Sequence, residues 1–248
     1  MMLAVWSLTV RDILRFVRQR SRIVGALGSP ILFWFVIGSG LGRSFQGSTP
    51  GGGYLEYFFP GTLALIILFT AIFAEISVIE DRQEGFLQGV LVAPVPRMAI
   101  VLGKVLGGAS LAFVQACLFL LAAPLAHVPL TVASFASTAA VLAVLSVGLT
   151  GLGFLIAWSL DSTQGFHAIM NLFLVPMWLL SGALFPAAGA APWIRVLMRV
   201  NPLTYGVEAL RLALYGHAGL AAPLALTAAF AAIMLGAGAA IVRRPLKG

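Results

Sequence analysis

The residues able to do chemistry in this chain are few and gathered into short stretches. The densest runs Glu80-Asp81-Arg82-Gln83-Glu84-Gly85-Phe86-Leu87-Gln88-Gly89-Val90-Leu91, and Pro94, Pro96 and Arg97 follow. Charges ahead of a short apolar helical face (Phe86, Leu87, Val90, Leu91), with prolines as a stop, suit docking of a partner rather than a reaction. A second set, Arg11, Arg15, Arg18 and Arg22, recurs at i, i+4, i+7 and i+11, with Val10, Ile13, Leu14 and Val17 opposite. That pattern predicts an interfacial amphipathic helix over 7–22, with aliphatic groups in the acyl boundary and guanidinium groups on lipid phosphates. A third set follows Pro192, which can open a helix carrying Arg195 and Arg199. There Asn201 is a natural N-cap, Pro202 fits the first helical turn, Tyr205 follows, and Glu208 and Arg211 stand at i, i+3, where they can pair.

Reaction centres of the familiar kinds are missing from the sequence. The single Gly103-Lys104 pair is followed by Val105 and opens an apolar run, so it makes no phosphate-binding loop. His127, His167 and His217 are scattered, and Cys117 is the lone cysteine, inside an apolar run. No nucleophile–base or metal-ligand set assembles, which excludes an intramembrane enzyme.

The elements that position these residues are set by composition. Of 248 residues 60% are hydrophobic and 9% charged, whereas a soluble domain carries roughly 25% charged residues. Six apolar runs predict spans at about 23–41, 58–79, 98–121, 133–158, 166–184 and 220–242, each near the ~20 residues that cross a bilayer. Pro30 falls in the first and Pro176 in the fifth, Gly51-Gly52-Gly53 turns the chain before the second, and Gly148, Gly151 and Gly153 suit close helix approach in the fourth. The first span reads as a retained helix rather than a cleavable signal peptide. The fold class is therefore an all-α polytopic membrane protein, one domain over 1–248. Eleven of the 15 Lys and Arg residues (Arg11, Arg15, Arg18, Arg20, Arg22, Arg82, Arg97, Lys104, Arg243, Arg244, Lys247) fall on the side of the N-terminus, against Arg43, Arg195, Arg199 and Arg211 on the other. This places both termini in the cytoplasm. A net charge of +7 beside apolar spans points to anionic lipid headgroups and not to nucleic acid.

Polar residues within spans default to functional candidates. Glu75, a turn inside the end of span two, is read as pairing with Arg22 or Lys104, or as facing a transport pathway and a cationic substrate. Gln115 and Asn171 are read as interhelical hydrogen bonders. They are candidate pathway residues with the aromatic Phe73, beside Phe69, Phe173 and Trp178.

Two stretches carry a family resemblance. Glu80–Gly108, "EDRQEGFLQGVLVAPVPRMAIVLGKVLGG", resembles the E-x-G-x-L-x-x-L-x-x-x-P-x-x-R…G-K stretch of type-2 ABC exporter permeases, closest to the daunorubicin-resistance-like drug exporters. "NPLTYGVEALR" (Asn201–Arg211) resembles the motif before their last span, with Glu208 where many relatives carry Asp, and "LLSGALFP" (Leu179–Pro186) also fits. The resemblance implies a homodimer, in preference to a heterodimer, around a central pathway, with two copies of a cytoplasmic ABC ATPase. It makes Glu80–Ala93 the coupling helix; the external segment 185–219, too long for a plain turn and too apolar to lie free in water, reads from its own residues as re-entrant or interfacial. The implied ATPase contacts would be Glu80, Asp81, Arg82, Glu84, Gly85, Phe86, Leu87, Leu91, Pro94 and Arg97. ATP and Mg would be bound by the partner, leaving this chain non-catalytic, in a bacterial inner membrane. The expected cargo is an amphipathic drug-like or lipid-linked compound. The alternatives are export of a polysaccharide or lipo-oligosaccharide by the same architecture, or a proton-coupled secondary transporter, which would need more intramembrane carboxylates or histidines than Glu75 supplies.

Overall fold

The computed structural model describes residues 1–41 and 53–243. Arg43, Gly51, Gly52, Arg244 and Lys247, invoked above, lie outside the described residues, as does the side chain of Leu91. The described chain is built from helices: α1 (Met2–Arg18), α2 (Arg20–Leu41), α3 (Tyr54–Gln83), α4 (Phe86–Val92), α5 (Arg97–Leu120), α6 (Val132–Trp158), α7 (Thr163–Leu179), α8 (Pro192–Val200), α9 (Pro202–Tyr215) and α10 (Ala221–Val242).

α3 is the axis of the bundle. Its sequence is apolar all round, which suits a helix buried on every side, and 89% of its most apolar window is buried, against 22% for α2 and for α10. α2, α5 and α6 pack around it, α1 lies along α5, and α10 and α9 lie on α6. Small residues set the closest approaches. A Cβ at Gly103 would stand 2.6 Å from Leu8 Cβ, so that glycine lets α1 lie flush on α5, while Gly148 and Gly151 seat Phe230 and Met234 of α10.

Among the described residues five helices are long and apolar enough to cross a membrane: α2, α3, α5, α6 and α10. The predicted fifth span, 166–184, is instead the 17-residue α7 followed by a turn, about 25 Å of helix against a hydrocarbon core of ~30 Å. The turns on either side of α7 nevertheless reach both ends of α3. At one end Gln83 Nε2 donates to Asp161 O (2.9 Å); at the other Tyr54 Oη donates to Leu184 O (3.0 Å).

Three expected boundaries change. The interfacial helix starts at Met2, not at 7, and breaks at Gln19, so Arg22 belongs to the first turn of α2. The second span continues as one helix to Gln83. Glu80–Gln83 are therefore its last turn and no part of the short helix, which is only Phe86–Val92. The break falls at Gly85, whose φ of +76° is left-handed backbone that glycine adopts without steric cost.

Candidate coupling site

At one end of the bundle meet α1, the start of α2, the last turn of α3, α4 and the start of α5. Asp81, fully buried, takes Arg11 through two bonds (2.8 and 2.6 Å), Arg15 (2.7 Å) and Lys104. Lys104, itself 2% exposed, also reaches Asp12 at 3.0 Å and Ser77 at 3.4 Å. Arg15 continues to Glu80 (3.1 Å) and Glu84 (2.8 Å), and Arg22 pairs with Glu80. Four cations thus face four carboxylates, Asp12, Glu80, Asp81 and Glu84, and the ones at the centre are shared. Burial pushes the Asp12 carboxyl up from its ordinary value, against the pull of the Lys104 ammonium, and the hydrogen bond to Asp81 raises the Arg11 guanidinium. A buried pair of this kind contributes little over an apolar substitute, but removing one partner strands a buried charge at about 3–5 kcal/mol.

This geometry corrects two readings. Arg11, Arg15 and Arg22 meet carboxylates of α3 and its following turn rather than lipid phosphates; Arg18 alone of the four is exposed and without an ion pair among the described residues. The face of α1 that packs on α5 is Leu8, Thr9, Asp12 and Phe16, with Thr9 Oγ1 donating to Gly103 O (3.1 Å). Leu14 and Val17 stay half exposed. Glu75 pairs with neither Arg22 nor Lys104, which are held by Glu80 and by Asp12 and Asp81. Its carboxyl is buried among α3, α5 and α6, with Oε2 unpartnered and Gly108 and Gly153 against it.

The short helix α4 rests on its own chain. Leu87 is buried, Val90 packs on the core, and the Arg11 guanidinium lies 3.7 Å over the Phe86 ring, a cation–π contact. Gln88, Gly89 and Val92 point outward, as do Glu84, Pro94 and Arg97 in part or whole.

Arg82 and Arg97, expected to face a partner, both spend their guanidinium groups on helix ends of their own chain, Arg82 half-buried and Arg97 at the surface. Arg82 donates to Trp158 O (2.6 Å), Leu160 O (3.2 Å) and Asp161 (2.9 Å) at the end of α6, with its guanidinium 5.4 Å from the Trp158 ring. Arg97 donates to Val242 O (2.9 Å) and Arg243 O (2.8 Å) at the end of α10. Both positions cap carbonyls that a helix C-terminus leaves unpaired, where a cation is also favoured by the helix dipole. The segment containing α4 is thereby tied at one flank to α6 and at the other to α10.

The remaining candidates are dispersed. Thr70 Oγ1 lies 2.7 Å from Gln115 Oε1, an interhelical hydrogen bond as expected. Asn171 is exposed on α7 and makes no such bond among the described residues. Phe73 packs edge-on to His167 at 6.1 Å, Phe173 points outward, and Trp178 is buried with Nε1 on Gly61 O (2.8 Å), so no aromatic cavity gathers them.

At the far end Asn201 caps α9 through Leu203 N (3.0 Å), and its Nδ2 donates to Met177 O (2.6 Å); Pro202 sits in the first turn. Tyr205 donates to Arg199 O (2.7 Å). The expected Glu208–Arg211 pair does not form: Glu208 is exposed, and Arg211 lies 4.2 Å over the Tyr57 ring with Nη2 on Gly182 O (3.2 Å).

Sequence reasoning missed Asp12 and gave Lys104 the wrong partner. A signal was present, since a lysine inside an apolar run demands a counter-charge and Asp12 is the one acid on a basic helix. The capping roles of Arg82 and Arg97 had no local signal, because the carbonyls they cap are backbone atoms 76–78 and 145–146 residues away.

Comparison with known proteins agrees with this architecture. The chain is 26% identical over 216 residues to the putative transport permease ycf38 of Cyanophora paradoxa, covering 86% of this chain and 74% of that one. It is 26% identical over 222 residues to the inner membrane transport permease YadH of Escherichia coli (88% and 84%). It is 29% identical over 158 residues to the probable multidrug ABC transporter permease YbhR of the same species (63% and 43%). The family described as ABC-2 type transporter matches residues 3–215, and a multi-pass helical chain matched over that length belongs to the ABC-2 type transporter family.

Proposed function

We propose that this chain is the exporting half of an ATP-driven pump, moved by a separate ATPase that docks beneath α4 and α1. The observation that carries this is the suspension of α4: a seven-residue helix with an outward face of Gln88, Gly89 and Val92, held between Arg82 on α6 and Arg97 on α10. A push on α4 would move α3, α5, α6 and α10 at one end together, while the ion-pair network carries α1 and α2 with them. ATP and Mg are held by the partner, and hydrolysis belongs to it.

In this reading α7 is the sixth crossing, since the turns on either side of it touch opposite ends of α3, and both termini are cytoplasmic in a bacterial inner membrane. Two permease copies form a homodimer with two ATPase copies. The sparse burial of α2, with Ile31, Leu32, Phe33, Phe35 and Val36 exposed, leaves room for lipid or a second copy. The cargo is an amphipathic drug-like or lipid-linked compound, a reading supported by the relative described as a multidrug permease.

The test is reconstitution of the chain with and without its ATPase, measuring ATP hydrolysis and uptake into inverted vesicles. Uptake is expected only with both proteins and ATP. Uptake by the isolated chain on a proton gradient would overturn the proposal.

A further inference from the structure

The end of the bundle opposite the ion-pair network holds a cavity of about 390 Å³ between α3, the turn after α7, α8 and α9. That is the size range of small-ligand sites, about 300–1,000 Å³. Its apolar wall includes Met198, Val207 and Leu212, and its charged residues are Glu208 and Arg211. These two stand one turn apart on α9, close enough in sequence to pair, and do not. Glu208 has neither ion pair nor hydrogen bond among the described residues. The Arg211 guanidinium is flattened on the Tyr57 ring, its Nη2 is spent on the carbonyls of Gly182 and Tyr57, and its Nε is buried without an acceptor. α9 cannot easily shift to close the gap. Its first turn is capped by Asn201, which also holds α7, and Tyr215 Oη at its last turn donates to Glu56 O (2.9 Å) on α3.

The geometry points to a binding site for an amphipathic zwitterion of the phosphoethanolamine type, its phosphate on Arg211 and its ammonium on Glu208. An anionic headgroup would meet the free carboxylate of Glu208, and a cationic one would meet Arg211; a headgroup carrying both charges satisfies both. Beside the cavity α8 turns Trp193, Val196, Leu197 and Val200 outward, all at least 45% exposed, while Met198 of the same helix faces the cavity. An acyl chain leaving the cavity would continue over this apolar face.

The site is remote from the coupling end, so it is tested on the full permease alone, without nucleotide or ATPase. The protein is purified from nanodiscs holding equal phosphatidylethanolamine and phosphatidylglycerol, and retained lipid is read by native mass spectrometry. The wild type is expected to retain phosphatidylethanolamine about tenfold over phosphatidylglycerol, the size of one charge-assisted contact. Glu208→Gln should bring the ratio to parity, and Glu208→Lys should invert it. Glu208 is exposed, so both variants keep the fold. Equal retention by the wild type, or an unchanged ratio in Glu208→Lys, overturns the assignment. Displacement of bound lipid by soluble glycerophosphoethanolamine would assign the site to the free headgroup, and resistance to it would assign the site to the membrane lipid.

Discussion

Apart from the Arg82 and Arg97 clamps on backbone carbonyls at the coupling end, the two ends of the bundle are fastened by different chemistry. At the coupling end Arg11, Arg15, Arg22 and Lys104 bind Asp12, Glu80, Asp81 and Glu84, side chain to side chain. At the opposite end Tyr54, Tyr57, Trp178, Asn201, Tyr205 and Tyr215 each donate to a backbone carbonyl. Ion pairs can exchange partners and answer to charge and salt. A neutral side chain bonded to a backbone carbonyl ties one element to another and carries no charge for salt to screen. The difference suits an end that is moved by a partner and an end that holds its shape while the other moves.

The largest expected effect breaks the first kind of fastening. Lys104→Met leaves Asp12 and Asp81 short of a cation inside the bundle and should cost about 3–5 kcal/mol, read as a lowered thermal midpoint of the purified permease. An unchanged midpoint would mean that Arg11 and Arg15 alone hold the network. Next come the two clamps. Arg82→Ala and Arg97→Ala should leave the ATPase bound and hydrolysing while transport per ATP falls, by about 5–150-fold if the clamps carry a coupling free energy of about 1–3 kcal/mol. Arg97→Lys should restore part of it, because one ammonium can still reach one carbonyl; loss of ATPase binding instead would return these residues to the contact surface.

Asn201→Ala probes the opposite end. It removes a helix cap worth about 1 kcal/mol and the bond to Met177, so a modest loss of thermal stability is expected, equal at low and high salt. Glu84→Gln is the smallest. Glu84 is 57% exposed, and an exposed ion pair contributes about 0–1 kcal/mol; the shift should vanish at high salt as screening removes the attraction. A salt-dependent Asn201 effect, or a salt-independent Glu84 effect, would erase the contrast between the ends.

Much of this was legible along the chain. The apolar body of α3 was legible as a run over 58–79, though not its continuation to Gln83, and α9 follows from Asn201-Pro202, whose capping role is local. The charged turn and the basic α1 were both visible as partners in need of something. What could not be read was that they needed each other. Arg11 and Asp81 are 70 residues apart, and two surfaces of opposite charge look equally ready for lipid, ATPase or one another. Arg82 and Arg97 were less legible still, because a helix-end carbonyl exists in every sequence and leaves no mark on it.

The amino-acid sequence by itself determined that the chain lives in a membrane, where its long apolar runs lie, and that no phosphate loop accompanies them, because burial of apolar side chains and the needs of backbone hydrogen bonding act locally. Only the tertiary structure decided which charges meet. An arginine is satisfied equally by a carboxylate, a carbonyl, a phosphate or an aromatic face. It took the packing of α1 on α5, and of α6 and α10 beside α3, to give Arg11 its Asp81, Arg82 and Arg97 their helix ends, and Arg211 a tyrosine in place of Glu208.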